Sequence, residues 1–97
     1  MAKKGYWIVA YQSISDGAVM GEYGKAAQPA VEAAGGRLIA LGPPAKAWEG
    51  GLNLPGVVVE FDSIEKAVAA YETPAYQAAA KILAGKVKRD FRIVEGV

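Results

Sequence analysis

The heptapeptide YETPAYQ, Tyr71 to Gln77, decides how the second half of this chain folds. It places a proline and two tyrosines directly after a run with helical periodicity, SIEKAVAAY. Proline suits the first turn of a helix, where no N–H is required, while the residue before it disfavours helical geometry. Thr73 offers a hydroxyl to the free N–H groups of a new helix. The stretch therefore reads as a joint, with one helix ending at Thr73-Pro74 and another beginning there. Ile64, Ala67, Val68 and Tyr71 make the apolar stripe of the first helix, capped by Ser63. Tyr76, Ala80 and Leu83 make the stripe of the second, which Gly85 ends. Both tyrosines of the joint read first as core anchors with their hydroxyls at a rim.

Working outward, VVVEFD (Val57 to Asp62) is a strand with Val57, Val59 and Phe61 on one face and Val58, Glu60 and Asp62 on the other. RLIALG (Arg37 to Gly42) is another, broken by GPP, with a short strand expected through Ala47 and Trp48 before EGG. Upstream, Val19, Tyr23, Ala27, Ala30 and Ala34 recur at helical spacing after Ser15 or Asp16 as cap. Pro29 is expected to kink that helix, and Gly35-Gly36 to stop it. Tyr6 to Tyr11 reads as an aromatic, β-branched strand that is apolar at odd and even positions, hence covered on both faces. DFRIVEGV closes the chain as a last strand. The order is β-α-β-β-α-β with the second helix broken at Pro74. This is an α+β, ferredoxin-like pattern with an antiparallel four-stranded sheet and helices on one face. Residues 1–97 are expected to form a single domain.

A chain of 97 residues buries roughly 65% of the surface exposed when unfolded, enough for one core. Its apolar share is 53%, high for that size, so surface is expected to be hidden in a partner, sheet against sheet. The chain contains no histidine and no cysteine. Ser-His-Asp catalysis, imidazole ligation of haem and cysteine-based zinc or redox sites are thereby excluded, and neither metal nor other cofactor is expected. Acid–base chemistry must use carboxylates, tyrosines or lysines. A formal charge of +1 gives no general attraction to nucleic acid or anionic membrane. The one basic cluster, KVKRDFR (Lys86 to Arg92), reads as a solvated edge, because VVVEFD carries acids where an RNA-binding sheet carries aromatics. The apolar run after MAKK is too short for a signal-peptide core, and a soluble, cytoplasmic protein is expected.

GYWIV, EYGKAAQPAVEAAGGRLIALG, WEG, VVVEFDSIEKAVAAYETPAYQ and IVEGV together resemble the DUF1330 family, a domain of unknown function in the dimeric α/β-barrel group. The resemblance covers nearly the whole chain. It implies a ferredoxin-like fold and a homodimer, but no general reaction. The wider group resembles cofactor-free monooxygenases, lactone isomerases and dehydratases, with pockets between sheet and helices. The family often carries an arginine in the loop before the third strand. Here LNLPG supplies none, so that loop has no basic group to hold an anion.

The site residues singled out are few. Glu49, on a glycine-flanked loop beside Trp48, is the candidate catalytic acid or base, since a carboxylate in an apolar pocket has a raised pKa. Tyr23, Arg37, Trp48, Tyr71 and Tyr76 are candidate ligand contacts, Arg37 as a fork for a carboxylate. The expected function is binding or conversion of a small, largely apolar molecule between sheet and helices, without metal or haem. The alternative is a non-catalytic dimeric structural or interaction module.

Overall fold

The computed structural model describes residues 3–97. The elements are β1 (Gly5–Ile14), α1 (Ala18–Ala33), β2 (Arg37–Gly42), β3 (Gly56–Phe61), α2 (Ile64–Tyr71), α3 (Pro74–Leu83) and β4 (Val87–Glu95). All pairings are antiparallel in a four-stranded sheet ordered β2-β3-β1-β4. This is the α+β, ferredoxin-like arrangement, with the helices on one face. None of the described helices is long and apolar enough to cross a membrane.

The joint forms for the reasons its residues give. Thr73 Oγ1 accepts from the Tyr76 backbone N–H at 3.2 Å and donates to the Ala70 carbonyl at 2.9 Å, tying the end of α2 to the start of α3. Pro74 occupies the first turn of α3. Ser63 caps α2 by accepting from the Lys66 N–H. Gly35, at φ +91°, takes the left-handed turn that stops α1.

The odd residues of β1 (Trp7, Val9 and Tyr11) face the helices, and the even ones face away. Trp7 donates its indole N–H to the Ala67 carbonyl at 2.8 Å and packs against Phe61, Tyr76 and Phe91. Burying such a side chain stabilises by about 1.5–3 kcal/mol, so this aromatic cluster anchors α2 and α3 to the sheet. Gly5 lets α2 start directly over β1, since a Cβ there would lie 2.6 Å from the Ser63 carbonyl oxygen.

Several local expectations are corrected. Within one protomer the helices cover only one face of β1. Trp7 lies inside the fold, while Ile8 on the open face is 40% exposed. No strand forms through Ala47 and Trp48, where the chain is an exposed loop. The cap of α1 is Gly17 without a side-chain bond; Asp16 instead accepts from the Ala18 N–H, and Ser15 donates to the Lys86 carbonyl. Pro29 lies exposed inside α1, which continues past it to Ala33 rather than ending there. β4, an edge strand, takes in three of the four basic residues of the cluster; Lys88 and Arg92 are exposed as expected, but Arg89 turns inward.

Candidate functional site

α1 leans on α3 and stands off from the sheet. Its small inward residues, Gly24 and Ala27, cannot fill the space beneath, which is a cavity of about 240 Å³. The floor is apolar, made by Trp7 and Val9 of β1, Val57 and Val59 of β3 and Phe91 of β4. Leu38 and Leu41 of β2 form the mouth and are 51% and 67% exposed. The roof is α1, from Met20 through Tyr23 to Val31.

One end of this cavity is polar. Arg89 lies on β4 opposite Tyr11, and the alternation Val87, Arg89, Phe91, Ile93 points it at the helices. Its Nη1 donates to Tyr23 Oη at 3.2 Å and to Tyr76 Oη at 3.1 Å. The two tyrosyl oxygens are 2.6 Å apart. The guanidinium also sits over the Tyr23 ring at 5.4 Å and the Phe91 ring at 5.1 Å, a favourable cation–π arrangement.

Proton counting orders this cluster. Arg89 can only donate. Tyr76 is fully buried, and its hydroxyl proton has no acceptor within bonding distance except Tyr23 Oη. Leaving that proton unpaired in the interior costs about 1–3 kcal/mol. Tyr76 therefore donates to Tyr23, and the proton of Tyr23, whose side chain lines the cavity, is left to point into it. Burial and the neighbouring Tyr76 push the Tyr23 phenol above its usual pKa, so it stays a neutral donor. Burial similarly raises Tyr11. Burial opposes the charge on Arg89, but the tyrosyl oxygens outweigh it and hold the guanidinium protonated.

The sequence candidates are distributed unevenly. Tyr23 and Tyr76, distant in sequence, meet at the polar end of the cavity. Tyr71 stacks in the aromatic cluster with Trp7, Tyr76 and Phe91, behind the cavity wall. Arg37 lies on the opposite face, where Nε donates to Glu60 at 3.1 Å and Nη2 to Asp62 at 3.1 Å. Those partners hold both carboxyls below their usual pKa, Tyr6 adding the leading contribution at Glu60. Trp48 is 76% exposed, and Glu49, at φ +55°, is exposed on the same loop away from the cavity. Arg89 and Tyr11 were not among the candidates. The signal available for Arg89 was strand alternation with Phe91 and Ile93, hidden by the charges around it.

The family "Domain of unknown function (DUF1330)" matches residues 4–97. No curated protein matches the chain. Among solved structures, a protein of unknown function from Rhodopseudomonas palustris is similar at TM-score 0.77 and 14% identity, over 100% of this chain and 85% of that one. A dimeric ferredoxin-like protein of unknown function from Thermobifida fusca is similar at TM-score 0.68 and 17% identity, over 98% and 92%. SnoaB, a cofactor-independent oxygenase from Streptomyces nogalater, is similar at TM-score 0.61 and 9% identity, over 96% and 92%. At these identities the likeness is one of fold.

Proposed function

We propose that this chain, which belongs to the DUF1330 family, binds a small, largely apolar molecule in the cavity between α1 and the sheet. The cavity itself carries this reading. An apolar cavity of about 150 Å³ is enough for benzene, and this one, of about 240 Å³, adds hydroxyl and guanidinium groups at one end. Apolar walls with a few convergent polar groups are the usual build of a small-molecule site. A cofactor-independent oxygenase shares the fold, which is consistent with chemistry run by side chains alone. In such a role Tyr23 would serve as proton donor to the bound molecule. Native mass spectrometry of freshly purified protein tests the reading. A retained small molecule, lost on filling the cavity with Ala27→Phe, is the expected result.

We further infer a homodimer formed through the open sheet face; two ferredoxin-like neighbours are themselves dimeric. Ile8 and Val94 are 40% and 47% exposed there, with Val58 between strands beside them. Light scattering is expected to give twice the chain mass of 10.1 kDa.

A second reading, an interaction module that converts nothing, is favoured by one observation. Ile39, Leu41, Trp48 and Leu52 are all more than half exposed along the β2 edge and its loop, an unusual grouping for a surface without a partner. Absence of any retained or added ligand in the mass spectra favours this module over the binder.

A further inference from the structure

The polar end of the cavity holds a positive charge and donors, with nothing to balance them. Among the described residues no carboxylate lies within ion-pair distance of Arg89, although Arg37 and Arg92 both have one. The two tyrosines cannot supply the missing charge as neutral phenols, and by the proton count Tyr23 turns a further donor inward. Both hydrogen bonds to these oxygens come from Arg89 Nη1, and the phenol of Tyr11, also neutral, is the third beside the guanidinium. The carboxylate that does line the cavity, Glu32, is exposed, accepts from Gln28, and lies nine residues along α1 from Tyr23. At 1.5 Å per residue that is roughly 13 Å away. A half-buried charge without a counter-ion is costly, and the arrangement persists because two oxygens and two ring faces hold the guanidinium in place.

We propose that the ligand is an oxyanion on a flat apolar ring, an aromatic carboxylate or an acidic phenol or enol, with its charged oxygen on Arg89 and the Tyr23 hydroxyl. This deepens the cavity reading and rests on it. The planar guanidinium matches the two oxygens of a carboxylate. The same donors fit a single phenolate or enolate oxygen. Trp7, Val9 and Phe91 give the ring a dry floor, and the volume suits one ring with short substituents rather than a fatty chain. The donors are built into the site before the ligand arrives, so little ordering cost opposes binding.

Trp48→Phe leaves Trp7, in the cavity floor, as the single tryptophan and a direct reporter. In that background, benzoate is compared with benzamide, and para-nitrophenolate with para-nitroanisole, by Trp7 emission and by calorimetry. At least one anion is expected to bind about tenfold more tightly than its neutral counterpart, the factor that one charge-assisted hydrogen bond supplies. Which pair shows the preference tells carboxylate from phenolate. Arg89→Gln is expected to erase the preference while leaving the neutral probes bound, and Arg89→Lys to keep part of it. The comparison on the unsubstituted Arg89 protein stands even where the glutamine variant fails to fold. Equal binding of anion and neutral probe overturns the oxyanion proposal and leaves the small-molecule site standing. No binding of any of the four at millimolar concentration overturns both.

Discussion

The two faces of the sheet each present arginine, and they treat it in opposite ways. On the open face Arg37 is tied to Glu60 and Asp62, Lys4 pairs with Asp62, which Lys66 at the start of α2 also reaches, and Arg92 pairs with Asp90. Every one of these cations has its carboxylate beside it. On the helix-covered face Arg89 has only tyrosyl oxygens and ring faces. Within the protomer water screens the first set, so those pairs contribute little to the interior. The second is shielded by apolar walls, where an unbalanced charge is felt strongly. A charge with its partner in place is complete as a structural feature. A charge without one, facing a cavity, is poised for something that comes from outside.

The largest test of this contrast is Tyr76, which is fully buried and joins the aromatic cluster to the Arg89 cluster. Tyr76→Ala is expected to cost about 3–5 kcal/mol in urea unfolding, and Tyr76→Phe only about 0.5–1.5 kcal/mol, since the ring remains. An alanine variant as stable as the parent would show that the ring anchors nothing. Next comes Ile8→Glu on the open face. It is expected to take the light-scattering mass from the dimer down to the 10.1 kDa chain without unfolding it, because the side chain is exposed on the face away from the core. A dimer that survives this change does not form through the sheet.

At the joint, Thr73→Ala removes the cap of α3 and is expected to cost about 1 kcal/mol, measured as a shift in the urea midpoint. Smallest is Arg37→Ala, for which a marginal loss is expected, in keeping with exposed ion pairs. Its clearer signature lies in pH. Glu60 and Asp62 are held below their usual values of 4.5 and 3.8, so their contribution is full above those values and is lost as pH falls through the depressed ones. Tyr23 is raised above its usual 10.0. Its contribution is full below 10.0 and is lost as pH rises toward the raised value. Arg37→Ala is expected to flatten the acid limb of the stability profile alone, and Tyr23→Phe to soften the alkaline limb alone. An acid limb unchanged by Arg37→Ala would remove the open-face network from the account.

Much of the architecture is legible in the sequence. YETPAYQ announced a helix joint because proline and a capping threonine act on the backbone within a few residues. VVVEFD announced which of its residues share a face because a strand alternates. The same reasoning was weaker wherever neighbours in space decide. Tyr6 to Tyr11 is apolar on both sides, and within one protomer the helices cover only the odd residues, since composition does not say where the helices lie. Ala47 and Trp48 looked strand-like, but they lie in an exposed loop between β2 and β3 that pairs with no strand. Glu49 and Trp48 looked like site residues because they are polar and aromatic on a flexible loop, and the cavity lies elsewhere.

The sequence by itself determined the order of the elements, the break at Pro74, the stop at Gly35 and the exclusion of histidine and cysteine chemistry. Each of these depends on residue identity or on backbone preferences that act over a turn or two. Only the tertiary structure decided that Tyr23 meets Tyr76 across 53 residues and Arg89 across 66. It also decided that α1 stands away from the sheet far enough to leave a cavity beneath it. Those outcomes depend on strand register and on how Ala-rich helices pack. They turned Arg89, inside a run of solvent-loving charges, toward the interior.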